Sequence, residues 1–337
     1  MNPVVCFGEP LLRLSPSVAG GWIREGRMSS YVGGAELNVA TALALWGVSV
    51  RFAAALPPNG LGDDMVEHIR GLGIDTSAIL RRGDRVGIYF LPQGADLKKS
   101  GVIYDRSHSS FASLKPNDID WHEVLRGCGW FHFSAISPAL SERCADVCRA
   151  AVEAAHSMGI GISVDLNYRS KLWRYGVKPT DVMRSLVRHA SLVMGNVWSA
   201  AELLGIPVDP DIHAKGSDEA YLSHARETSL RIFDMAPGCR QVANTFRFDR
   251  AEGLSYFATV DTRDAQSVSL SHRLADPVDR VGSGDCFMAG FLYGNMMGWM
   301  PFETVDFAAS SAVGKLMERG DATAQSVEQI RKRYGYT

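Results

Sequence analysis

Short apolar runs rich in Val, Ile and Phe alternate along most of the chain with longer stretches whose apolar positions recur at helical spacing. Strands are predicted over residues 4–8, 52–56, 130–134, 161–165 and 192–195, with helices over 37–45, 62–72, 142–158 and near 198–204. Strand and helix in alternation build a mostly parallel sheet covered by helices on both faces, so the expected fold class is α/β. The rhythm breaks near residues 85–106. Two β-rich runs, 86–91 and 102–106, flank a polar, glycine-containing turn over 92–101 with no helix between them. This hairpin is expected to leave the main sheet and, with part of 11–32, to form a small β lid spanning about 12–33 and 85–107 inside one domain of residues 1–337. Residues 11–27 show no sustained period of their own. The polar segment 209–223 reads as a loop or a short surface helix. Later strands are expected over 241–246 and 254–260 around a turn at 249–253, then helices over 287–297, 302–318 and 325–333.

Composition narrows the class without changing that picture. With 46% hydrophobic and 21% charged residues and a formal net charge of −2, the chain matches an ordinary globular protein and has no basic face for nucleic acid. The N-terminus enters a strand-like run at once, without the basic flank and apolar stretch of a signal peptide, and no window is apolar enough for a membrane helix. A cytoplasmic protein with neither membrane nor nucleic-acid partners is expected. Cys6, Cys128, Cys144, Cys148, Cys239 and Cys286 form no C-x-x-C pair and no zinc spacing with histidine, so they read as reduced core residues and no metal ligand set can be named.

The candidate chemistry gathers on Asp279-Arg280-Val281-Gly282-Ser283-Gly284-Asp285, which runs directly into an apolar helix. Glycines there let backbone N–H groups at a helix N-terminus approach a phosphate oxygen, and Asp285 is either a chemical carboxylate or a helix cap. A second glycine pair, Gly33-Gly34, opens the helix that carries Asn38, whose amide could reach a sugar hydroxyl or simply face solvent. Asp165, Asn167 and Arg169 follow a strand at the carboxyl edge where open α/β sheets bind ligands. Arg169, with Arg106 from the lid hairpin, could hold a carboxylate; as surface residues both would pair with acidic neighbours instead. A nicotinamide dehydrogenase lacks support, because no Gly-x-Gly-x-x-Gly follows the first strand.

Taken together these residues resemble the ribokinase-like, or pfkB, carbohydrate kinases. Residues 279–285 look like the family's D-T-V-G-A-G-D signature and Gly33-Gly34 with Asn38 like its N-terminal glycine motif. Gly8-Glu9-Pro10-Leu11, Gly87-Ile88-Tyr89-Phe90, Ile103-Tyr104-Asp105-Arg106, Ile136-Ser137-Pro138-Ala139-Leu140 and Asp165-Leu166-Asn167-Tyr168-Arg169 bring the likeness nearer to 2-keto-3-deoxygluconate kinases and related bacterial sugar kinases. The resemblance implies a three-layer α/β/α core with a β lid, ATP and Mg2+ as cofactors, K+ as a further candidate, and transfer of the γ-phosphate to a terminal hydroxyl. Asp285 would be the base, and Gly282, Ser283 and Gly284 the anion hole. Gly33, Gly34, Asn38, Tyr89, Tyr104, Arg106, Ile136, Asn167 and Arg169 would meet the sugar acid. Asn196, Asn244 and Arg247, with Gly282 and Gly284, would meet the nucleotide.

Three departures bear on this. Ser199 stands where many relatives carry the Glu of an Asn-x-x-Glu motif that organises magnesium. The usual Lys-x-Gly-x-x-Gly near the nucleotide is replaced by Val242-Ala243-Asn244-Thr245-Phe246-Arg247, and Arg280 replaces Thr in the signature. The alternatives are therefore a kinase of another, fructose-like sugar, and a sugar- or nucleotide-binding protein on a kinase fold without turnover. An exposed β lid needs covering, so a homodimer pairing its lids is expected.

Overall fold

Runs of four to seven buried apolar residues are too short for helices that would satisfy a core, and in the computed structural model, which describes residues 2–17, 22–92, 101–215 and 217–333, they form strands. In chain order these are β1 (Val4–Phe7), β2 (Leu11–Ser15), β3 (Ser29–Gly33), β4 (Val50–Leu56), β5 (Ile79–Arg81), β6 (Gly87–Phe90) and β7 (Ile103–Asp105). There follow β8 (Trp130–Ser134), β9 (Gly161–Asp165), β10 (Leu192–Gly195), β11 (Gln241–Arg250), β12 (Gly253–Asp261), β13 (Gln266–Val268) and β14 (His272–Leu274).

The large sheet has the order β13-β12-β11-β10-β9-β8-β1-β4-β5, with β14 beside β12. Pairing is parallel from β11 through to β5 and turns antiparallel only at β12, β13 and β14. All four residues of β1 are buried, as expected of a strand covered on both faces. Because the chain leaves β1 for β4 on one side and later fills β8 on the other, the order reverses beside β1. The carboxyl ends of these strands open on a crevice there.

Helix Ser283–Met296 lies nearly wholly buried between Ala35–Leu45 and Pro301–Lys315. Close approach explains its small residues: a Cβ on Gly290 would meet the Ala308 Cα at 2.7 Å. A second, four-stranded sheet has the order β3-β2-β6-β7, parallel between β2 and β6 and antiparallel at both flanks. It is therefore two hairpin arms joined side by side. The expected turn of the second arm falls on 92–101, of which 93–100 lie outside the described residues. β2 alternates buried and half-buried positions, a period too brief to stand out in the surrounding sequence.

The segment 209–223 differs from its expectation. It contains Ile212–Lys215 and the start of an 18-residue helix, Asp218–Met235, capped by Ser217. That helix buries Thr228 and Ser229 beside Tyr221, Ala225, Ile232 and Phe233, so polar residues in its inner stripe blur the apolar period. Among the described residues no helix is long and apolar enough to cross a membrane.

Candidate active site

The loops after β8, β9 and β10 and the inner face of β11 converge with the small sheet on a cavity of ≈ 670 Å³. Asp165, Asn167 and Arg169 reach it from the end of β9, Ile136 from the loop after β8, and Asn196 from the end of β10. Tyr89, Tyr104 and Arg106 enter from the small sheet, and Gly34 and Asn38 from the opening of helix Ala35–Leu45. Gly282, Ser283, Gly284 and Asp285 form the wall at the head of helix Ser283–Met296.

Gly282 caps that helix with φ +77°. The left-handed backbone already favours glycine, and a Cβ would fall 1.8 Å from the Asp321 carbonyl oxygen. The turn before it is held by Asp279, whose carboxylate accepts from the Val281 N–H at 3.1 Å and the Gly320 N–H at 3.3 Å. Asp279 is itself buried and salt-bridged to Arg13 of β2 at 2.8 Å. Arg13 Nε lies 3.0 Å from Asp321, which also accepts from the Tyr89 hydroxyl at 2.6 Å. The small sheet is thus tied by buried charges to the glycine loop, and Leu11, Tyr89, Leu91 and Val102 pack on Val281 of the same loop.

Asp285 does not cap the helix; that position belongs to Gly282. In the first turn, its carboxylate faces the cavity and accepts from the Asn38 amide at 2.7 Å. Asn38 is consequently a buried partner of Asp285 and not a solvated surface residue. Burial raises the Asp285 carboxyl to about 6, against the opposing pull of the Asn38 hydrogen bond and the Arg169 charge. Asp165, on the facing strand end, is also pushed well above the usual carboxylate range, first by burial and then by the charge of Asp285. Two carboxyls in one cavity with different environments suit division of labour in proton transfer.

The two arginines are not equivalent. Arg106 is 6% exposed and gives Nε and Nη2 to Glu9 at 2.7 Å each, leaving its Nη1 edge clear of that pair. Arg169 donates to the Tyr168 carbonyl at 3.1 Å, and among the described residues no carboxylate lies within ion-pair reach of it. Of these two arginines, one is already balanced by a carboxylate and the other is in ion-pair contact with none among the described residues. Glu36, just past Gly34, accepts from the N–H and hydroxyl of Ser134 at 2.9 and 2.7 Å and so fixes the loop that presents Ile136.

Two expected contacts do not reach the cavity. Asn244 is buried on the opposite face of β11, its amide donating to Ser229 at 3.0 Å, and is withdrawn as a nucleotide contact. Its neighbours Thr245 and Arg247 take the cavity side, as a two-residue period requires. Gly33 stands behind the wall, where its Cβ would meet the Asp321 carboxylate at 2.2 Å. Asn196 lines the cavity but its oxygen caps helix Val197–Leu204 by accepting from the Ser199 N–H at 2.9 Å, with Ser199 Oγ donating back to the Asn196 carbonyl at 2.8 Å. Arg280 salt-bridges Asp249 at 2.8 Å across the rim. Cys286, beside the loop, is buried with its thiol pushed up to about 12, so it packs and does not react.

Glu9, Arg13, Asp321 and Lys315 carry no expectation from sequence. Glu9 alone had a visible signal, an acidic residue in a Gly-Glu-Pro turn at a strand end. Among the described residues no group of three His, Cys, Asp or Glu side chains is arranged to hold a metal ion.

A profile of the pfkB family of carbohydrate kinases matches residues 1–227. A 2-dehydro-3-deoxygalactonokinase of Haloferax volcanii is 27% identical over 340 residues, covering 98% of this chain and 95% of its own. A 2-dehydro-3-deoxygluconokinase of Thermoproteus tenax is 27% identical over 328 residues, covering 96% and 91%. The crystal structure of a 2-dehydro-3-deoxygluconokinase from Thermotoga maritima superposes with a TM-score of 0.88 at 34% identity, covering 98% of this chain and 99% of that one.

Proposed function

The chain belongs to the pfkB family of carbohydrate kinases, phosphotransferases on a ribokinase-like fold, and from that premise we propose that it phosphorylates a terminal hydroxyl of a 2-keto-3-deoxy sugar acid at the expense of ATP. In the naming of its relatives this acceptor class is 2-dehydro-3-deoxy, and 2-keto-3-deoxygluconate is the member proposed. One observation supports the reading: Arg169, whose charge acts on Asp285 but which has no carboxylate in ion-pair contact among the described residues, shares a cavity with that carboxylate at the head of a glycine-capped helix. A neutral hexose gives Arg169 nothing to pair with, whereas an acid does.

In the proposed reaction Asp285, oriented by Asn38, takes the proton of the acceptor hydroxyl as that oxygen attacks the γ-phosphorus. The bond to the β–γ bridging oxygen breaks and ADP leaves. The amide hydrogens at Gly282–Gly284 face the charge that accumulates on the transferring group, in a helix-end field that favours anions. Arg169, with the Nη1 edge of Arg106, holds the acid's carboxylate. Arg247 and Arg280, at the far side of the cavity, lie near the nucleotide. Magnesium, where bound, neutralises phosphate charge. Asp165, Glu202, Asp285 and Asp321 line the cavity without a metal-holding cluster of three among the described residues, which fits an ion that arrives on the nucleotide and keeps most of its waters, so the Ser199 departure is tolerable. The small sheet serves as the lid that excludes water as a competing acceptor.

Mixing the protein with Mg-ATP and a panel of sugars, and measuring ADP release, tests the proposal. Release with keto-deoxy acids and not with fructose or gluconate supports it. Release with fructose alone would move the chain to the fructokinase side of the family.

A further inference from the structure

Lys315 is the last residue of helix Pro301–Lys315 and is 0% exposed. A lysine removed from water needs counter-charge and acceptors around it. Its Nζ donates to the Glu318 carbonyl at 3.2 Å, and the carboxylates of Asp279, Glu318 and Asp321 all act on it electrostatically. Two of those three are the groups that shape the glycine loop: Asp279 holds the turn through the Val281 N–H, and Asp321 presses its carbonyl on Gly282. A methyl placed on Gly282 would sit 3.4 Å from Lys315 Cε, so the lysine stem lies directly behind the loop whose front faces the cavity.

The proposed mechanism uses none of this charge directly. K+ was carried from the sequence as a candidate support for the anion hole. A monovalent ion would need a dry oxygen cage against that loop, and the place behind Gly282 that offers backbone carbonyls and carboxylates already holds an ammonium. We infer that Lys315 is a tethered cation that takes over the task of a monovalent ion behind the glycine loop, so that nucleotide binding and turnover here are independent of K+. Lys315 is a positioning residue: tied to the Glu318 carbonyl, it acts through its charge on Asp279 and Asp321 and through its stem packed behind the Gly282 turn, and it does not touch substrate. The inference rests on the kinase reading above.

The test compares K+, Na+ and tetramethylammonium as the sole monovalent cation, using the full-length protein. Two signals are read: ADP release with the accepted sugar acid, and the rise in melting temperature caused by a non-hydrolysable ATP analogue. The wild type is expected to give the same rate and the same rise in all three salts. Lys315→Met, checked by circular dichroism for a retained fold, is expected to lose about 10²-fold in turnover, comparable to removing one donor from an anion hole. K+ is expected to restore part of the loss in Lys315→Gly, where the stem no longer fills the space, and tetramethylammonium is not. A wild type that needs K+ for either signal overturns the inference, as does a folded Lys315→Met with wild-type turnover. Should no sugar yield ADP in any salt, the kinase reading fails, and the analogue-induced melting shift still decides this point by its dependence on K+.

Discussion

At the scale of single residues, the reading turns on what burial does to charge. The Asp285 carboxyl, raised to about 6, is ionised at neutral pH and lost as a base when pH falls through that value. kcat/KM is therefore expected to drop below about pH 6 in a pH–rate profile. Stability moves the other way for this group. Its folded-state value lies above the 3.8 of the free side chain, so the folded protein binds the proton first and gains stability from it as pH falls between the two. Asp285→Asn should lower turnover by about 10²–10⁴-fold while leaving the melting temperature unchanged or higher. A profile flat down to pH 5, or an active Asp285→Asn, would remove the base from the scheme. Arg169 and Arg106 should separate in the same experiment. Arg169→Ala is expected to raise KM for an acidic acceptor, with KM for ATP and the melt unaffected. Arg106→Ala strands Glu9 as an unpaired buried carboxylate and should destabilise by about 3–5 kcal/mol, a loss visible by thermal melting before any assay.

At the scale of elements, the helix Ser283–Met296 and its glycine cap do the positioning. Gly282→Ala would force a side chain into a left-handed turn and against the Asp321 carbonyl, so loss of turnover together with a lower melting temperature is expected; a stable, active Gly282→Ala would show that the loop is not held as described. Much of this was legible in the chain. The strands at 130–134, 161–165 and 192–195 fall where their apolar runs end, because a central parallel strand is buried on both faces and needs no alternation to be seen. The placement of Asp165 and Arg169 at a strand end followed from that. Asn244 was misread because β11 obeys a two-residue period: Phe246 shares its buried face, while Thr245 and Arg247 take the cavity side. Helix Asp218–Met235 was hidden by the Thr and Ser in its inner stripe, and β2 by its length of five residues. Of the buried partners, Arg13, Asp321 and Lys315 could not be read at all. Each is charged and looks in a sequence like any surface residue.

At the scale of the whole molecule, the small sheet covers the cavity with one face and shows Leu14, Ile88, Phe90 and Ile103 on the other, half-buried or exposed and adjacent across paired strands. Such a face fits the homodimer expected from the sequence. Light scattering should give twice the chain mass, and Phe90→Lys with Ile103→Lys should halve it without abolishing the fold. A wild-type mass equal to one chain would refute that assembly. The joint that runs through Arg13 has its own consequence. One guanidinium of the flap grips Asp279 and Asp321 beside the glycine loop at the head of helix Ser283–Met296, so neither flap nor loop can shift without disturbing the other. If sugar and nucleotide are coupled through this joint, linkage requires each to tighten the other by an identical factor. Calorimetric titrations run in both orders, with a non-hydrolysable analogue, should return equal cooperativity that vanishes in Arg13→Met.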